Sequence, residues 1–239
     1  MIEISGLYKT FGSQKVLDGI SLEVPKGEIL VILGQSGTGK SVLLKHIIGL
    51  LKPDAGNVKL NGVDVSNLSE KALLPVRKKI GYLFQDGALY DFMSVFDNVA
   101  FPLLEHTKFS FKEVQNKVMA TLESLDLHDV VVKFPSELSG GMRKRVALAR
   151  AIILDIEILL CDEPTSGLDP IRSRDISEVI HQVSRKLGCT TVIASHDIAN
   201  SCRIGDRIAL LNDGKIAALG SAKELQASND PFVKEFMKV

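Results

Sequence analysis

The sequence predicts an α/β protein with a largely parallel central sheet, a strand-rich N-terminal portion and an inserted α-helical segment. Three observations carry that expectation. The run "EILVILG", Glu28 to Gly34, is continuously aliphatic, as in a strand buried on both faces. It passes through "GQSGTGKS" into "VLLKHIIGLL", whose apolar residues fall at helical spacing, so strand, glycine loop and helix follow one another. Further on, "IEILLCDEP", "RDISEVIHQVSRKLG" and "CTTVIASHD" alternate strand, helix and strand, the order that parallel pairing requires.

The other elements follow in order. "VLDGISLEV", Val16 to Val24, shows the short alternation of a strand and ends at the Pro25–Lys26–Gly27 turn. In "SFKEVQNKVMATLESLDL", Ser110 and Glu113 stand at capping-box spacing, and Val114, Val118, Leu122 and Leu125 share one helical face. A further helix is expected from Ser136 to Leu154, which makes the region from about Asp86 to Leu154 a helical insertion. The helix of "RDISEVIHQVSRKLG" stops at Gly188, and Asp213–Gly214 between two apolar runs reads as a hairpin turn. The chain thus divides into an α/β core at 1–85 and 155–220, a helical subdomain at 86–154 and a short C-terminal tail at 221–239.

Composition narrows the function. The 239 residues are long enough for a full core, and 29 Lys and Arg against 29 Asp and Glu leave no basic excess, so no nucleic-acid partner is expected. Cys161, Cys189 and Cys202 are odd in number and lack CxxC spacing, which argues against a disulfide framework or a zinc site and suits a reducing compartment. Glu3 interrupts any N-terminal signal segment, and no apolar run approaches the roughly 18 residues of a membrane span, so a soluble chain is expected.

The chemistry lies in three segments. "GQSGTGKS" fits G-x-x-x-x-G-K-[ST], the phosphate loop: backbone N–H groups of Gly34, Gln35, Ser36, Gly37, Thr38 and Gly39 close around phosphates, Lys40 reaches the β and γ groups, and the Ser41 hydroxyl holds Mg²⁺. At the end of "ILLCDEP", Asp162 can hold the same Mg²⁺, and Glu163 can polarise a water for in-line attack on a γ-phosphate. His196, directly after the strand "TTVIAS", would lie on the same carboxyl edge; His46, His106, His128 and His181 are read as structural. The third segment is "LSGGMRKRVALAR", Leu138 to Arg150, a helix start with free N–H groups that amounts to a second anion site in one chain.

Taken together, "GQSGTGKS", Gln85, "LSGGM", "ILLCDEP", "SGLD" at Ser166–Asp169 and His196 occur in the order found in ABC transporter ATPases, which the sequence resembles along essentially its whole length. The resemblance implies the ABC ATPase fold, a RecA-like core with an N-terminal antiparallel β subdomain, and ATP with Mg²⁺ as ligands. It implies that Ser139, Gly140 and Gly141 close over the γ-phosphate held by a second subunit, which answers why one chain carries two anion sites and makes the protein a head-to-tail homodimer. It places adenine against Phe11, gives Gln85 a contact to Mg²⁺ or the attacking water, and puts Asp169 on the dimer seam. Met142 departs from the Gln that usually ends the signature, at a position the phosphate does not need.

"FQDGALYDFMSVFDNVAFPL", Phe84 to Leu103, together with "LSGGM" and "GLDPI", is similar to the Mla-type, MCE-associated phospholipid transport ATPases. That branch implies an integral membrane permease, MCE-type lipid-binding and small cytoplasmic accessory subunits, and a peripheral location on the cytoplasmic face of the inner membrane. Small-solute importers and lipoprotein-release ATPases carry the same nucleotide motifs. So do soluble ABC ATPases, which usually join two cassettes or carry a long coiled coil; neither is present here. The same reading expects Tyr90 and Phe92 to include an exposed anchor for the permease.

Overall fold

The computed structural model describes residues 1–238. Strands β1 (Ile2–Phe11) and β2 (Gln14–Val24) form an antiparallel pair, and β3 (Ile29–Leu33) leads through the glycine loop into α1 (Lys40–Ile47). Next come β4 (Ala55–Leu60), β5 (Val63–Asp64), α2 (Glu70–Arg77) and β6 (Ile80–Leu83). The insertion supplies α3 (Val95–His106), α4 (Phe111–Glu123) and α5 (Gly140–Ile152). Then β7 (Ile158–Asp162), α6 (Pro170–Leu187), β8 (Thr190–Ser195) and α7 (Ile198–Ile204) alternate, followed by the hairpin β9 (Arg207–Asn212) and β10 (Lys215–Gly220). The segment read as a tail folds into two short helices, α8 (Ala222–Gln226) and α9 (Pro231–Phe236), which bury Leu225 and Val233.

Two sheets result. The smaller is antiparallel in the order β2-β1-β4-β5; the larger runs β10-β9-β3-β8-β7-β6 and is parallel except for β10. All five residues of β3 are fully buried, with Ile29, Val31 and Leu33 in one apolar cluster and Leu30 and Ile32 in the other. This two-sided burial is the physical reason for its unbroken aliphatic run. Because β3, β6, β7 and β8 are parallel, the segments that leave their carboxyl ends converge on one edge.

The helical insertion has its own packing logic. Ser110 caps α4 in a complete capping box with Glu113, and Val114, Val118 and Leu122 pack with Val95, Val99 and Leu103 of α3 and Val146 and Ala149 of α5. The helix expected from Ser136 is divided: a 3-10 turn spans Pro135–Glu137, and α5 starts only at Gly140. The cause is Ser139, which holds an extended conformation and accepts from the Met142 N–H at 3.3 Å, the behaviour of an N-cap. In the same way α6 begins at Pro170, with Asp169 accepting from the Ile171 and Arg172 N–H groups. No helix of the described residues is long and apolar enough to cross a membrane.

Candidate functional site

The glycine loop is bent by Gly39, whose φ of 102° lies in the left-handed region and beside which an added Cβ would sit 3.0 Å from the Val16 carbonyl oxygen. No side chain caps α1, so its first N–H groups remain available to an anion. Lys40 opens the helix and is buried; its Nζ donates to the carbonyls of Gly34 at 2.7 Å and Gln35 at 2.9 Å and lies 3.1 Å from Glu163 Oε1.

Glu163 follows β7 at φ 46°, an uncommon conformation for a residue with a side chain, and it turns the carboxylate toward the loop. Its Oε2 lies 2.7 Å from His196 Nδ1, and Lys40 takes the other oxygen. One residue earlier, Asp162 Oδ1 accepts from the Ser41 hydroxyl at 2.7 Å, while Oδ2 accepts from Tyr82 at 3.3 Å. Burial, reinforced by the Asp162 charge, raises the Tyr82 phenol pKa, so Tyr82 remains a donor. Lys40, Ser41, Glu163 and His196 line a cavity of about 550 Å³ bounded also by Ser36, Gly37, Gly39 and Gln85, with Gln14 and Val16 on the β-subdomain side; Asp162 lies outside the lining, behind the Ser41 hydroxyl.

The donor set suits magnesium. Ser41 Oγ and Asp162 are hard oxygen ligands already in contact, and the Gln85 side chain borders the same cavity, donating to Ser166 Oγ at 3.3 Å. Among the described residues no cluster of three His, Cys, Asp or Glu side chains could hold a metal unaided. A magnesium ion here would therefore depend on phosphate oxygens to complete its shell, as is usual for that ion.

Not every expected residue joins this cavity. Phe11, at the end of β1, is 45% exposed with Lys9 Nζ 5.5 Å from its ring centroid, and it lies outside the lining. Ser139, Gly140 and Gly141 border no part of it either; an added Cβ on Gly140 would meet Leu168 at 3.2 Å. Asp169 caps α6 in solvent, with the Arg172 N–H holding its carboxyl below the usual range. His46 is buried in the core, its Nδ1 2.7 Å from the Val42 carbonyl, and burial lowers its pKa.

Two residues that sequence reasoning passed over stand beside Gln85. Lys144 is 7% exposed and donates to the Gln85 carbonyl, and burial holds its ammonium below the ordinary lysine value. Arg150 donates to the carbonyls of Gly87 and Ala88, both at 2.7 Å. The available signal was two basic residues within a helix whose neighbours Val146, Ala147, Leu148 and Ala149 are all buried.

Comparison with known proteins gives the family. Residues 17–166 match the family described as ABC transporter. The chain belongs to the ABC transporter family. The cassette is 43% identical over 236 residues to the probable ribonucleotide transport ATP-binding protein mkl of Mycobacterium leprae, covering 99% of this chain and 68% of that one. It is 42% identical over 237 residues to the intermembrane phospholipid transport system ATP-binding protein MlaF of Escherichia coli, covering 99% and 88%. Among solved structures, the dimeric structure of a bacterial ABC transporter cassette superposes with a TM-score of 0.85 at 31% identity, over 92% of this chain and 98% of that one. A second structure of the same protein, in a post-hydrolysis state with ADP and Pi, matches equally well at a TM-score of 0.85. This cassette is accordingly an ATP-binding, ATP-hydrolysing subunit of a transporter.

Proposed function

We propose that the cassette drives a permease that moves phospholipids between the inner and outer membranes, working as a head-to-tail homodimer on the cytoplasmic face of the inner membrane. Lys40 and the loop amides bind the ATP phosphates, with Phe11 against adenine. Ser41, Asp162 and Gln85 hold Mg²⁺. Glu163, steadied by His196, takes the proton of the attacking water while Ser139, Gly140 and Gly141 of a second copy cover the γ-phosphate. The observation that carries the nucleotide roles is the convergence of Ser41, Asp162, Lys40, Glu163 and His196, at contacts of 2.7–3.1 Å, on one sheet edge.

The lipid assignment is supported by the likeness to MlaF over 88% of that protein. A groove of about 530 Å³ suits a permease segment: it is walled by Arg77, Tyr82, Phe84, Tyr90, Phe101 and Arg150, and Phe92 beside it is 75% exposed. MCE-type and small accessory subunits complete the proposed assembly. The name of the mycobacterial relative supports a second reading, ribonucleotide transport. Deleting the gene separates the two. Loss of outer-membrane lipid asymmetry with gained detergent sensitivity supports phospholipids; intact membranes with lost ribonucleotide uptake would sink that reading.

A further inference from the structure

The segment Gln85–Ala88 belongs to no helix or strand, and its carbonyl oxygens need partners from elsewhere. One side of α5 supplies them at three-residue spacing. Lys144 donates to the Gln85 oxygen; Ala147 lies against Gly87, where an added Cβ would come 3.2 Å from the Ala147 methyl; Arg150 donates to the oxygens of Gly87 and Ala88 and sets its guanidinium 5.8 Å from the centre of the Tyr90 ring. Of the three, Lys144 is the least expected. A buried ammonium is costly to desolvate, and its hydrogen bond in the protein goes to one carbonyl, with the charges of Asp86 and Glu163 favouring it and that of Arg143 opposing it.

We propose that Lys144 is a positioning residue for ATP hydrolysis: by holding the Gln85 carbonyl it fixes the backbone from which the Gln85 side chain reaches the nucleotide. It also ties that loop to the helix whose first residue follows Ser139. Gln85 at a chain's own nucleotide and Ser139 at the partner's then share one rigid support. This rests on the role given to Gln85 above.

The test is steady-state hydrolysis of Mg·ATP by the purified full chain, with Mg²⁺ and ATP varied separately. Lys144→Met is expected to lower kcat on the order of 10- to 100-fold, the effect of a small misplacement of catalytic groups, with KM for ATP nearly unchanged and a higher half-saturating Mg²⁺. Lys144→Gln, which keeps an N–H donor, should recover most of the loss. On a Gln85→Ala background, Lys144→Met should add little, because the two act as a unit. Wild-type kcat in Gln85→Ala would overturn the reading of Gln85 itself. Loss in Gln85→Ala with wild-type kcat in Lys144→Met would overturn the positioning role alone, as would equal loss in Met and Gln variants. Should Lys144→Met fail to fold, hydrogen exchange on the unaltered protein decides. Amides of 85–88 and of the first turn of α5 are expected to gain protection together on adding Mg·ATP; a change confined to one of them overturns the inference.

Discussion

Glu163 is shared between two partners, the Lys40 ammonium at 3.1 Å and His196 Nδ1 at 2.7 Å. Lys40 Nζ also donates to the carbonyls of Gly34 and Gln35, so a γ-phosphate arriving there would compete with those acceptors and with the Glu163 carboxylate for the ammonium. Glu163→Gln should therefore leave ATP affinity intact or improved while hydrolysis falls about 10²- to 10⁴-fold, the range for a lost general base. Equilibrium binding and single-turnover assays together check it. Lys40→Ala should do the reverse, abolishing binding or nearly so. Wild-type turnover in Glu163→Gln, with contaminating ATPases excluded, would remove Glu163 from its role. The partners of these residues were legible where the chemistry is encoded locally, as in "GQSGTGKS" and "CDEP". Tyr82 on Asp162 and Lys144 on Gln85 were not: they join positions 80 and 59 residues apart through the fold alone.

Among the elements, α4 tests how well local signals reach stability. The Glu113 carboxyl is held below its usual value by the Ser110 hydroxyl and backbone, so it contributes stability that is present above its unfolded pKa of about 4.5 and lost as pH falls through its lower folded value. Ser110→Ala should lower the melting midpoint at neutral pH by about 2–4 °C, and the difference from wild type should narrow near pH 3. A gap that stays constant with pH would show the box to be unformed. The groove beside α3 carries a different prediction. Phe92→Ala, at a ring 75% exposed, should leave the melting curve and ATP binding within error yet release the cassette from its membrane subunit during co-purification. Retention on the membrane with normal lipid movement would exclude Phe92 as an anchor. Helices α4 and α6 were readable because a capping box and a stop glycine are local. The Ser-Gly-Gly of "LSGGM" marks the start of α5 that the structure has, whereas apolar periodicity carries that helix back to Ser136 and starts α6 too late, because it says nothing of the caps Ser139 and Asp169.

For the whole molecule, the proposed sharing of each nucleotide site between two copies has a direct consequence. Ser139→Arg should block hydrolysis and spare nucleotide binding by a monomer, apart from a modest loss from its removed cap. Mixed with Lys40→Ala protein, it should regain activity, because one heterodimer site combines both intact halves. Freely exchanging subunits that recover nothing would refute shared sites or require both to be competent. The doubly buried β3 and the alternation after β7 made the α/β core legible, whereas the tail's folding into α8 and α9 depends on a surface that only the assembled core presents. The 13-residue α5 spans about 20 Å at 1.5 Å per residue, with Arg150 and the Tyr90 groove at one end and Ser139 at the other. In the proposed dimer that length would act as a lever arm: a tilt of about 5° at the groove would carry Ser139 through about 2 Å, beyond the roughly 1 Å over which catalytic alignment is lost. In the proposed assembly, a displacement at the groove end that small would be felt at the nucleotide site of the second copy.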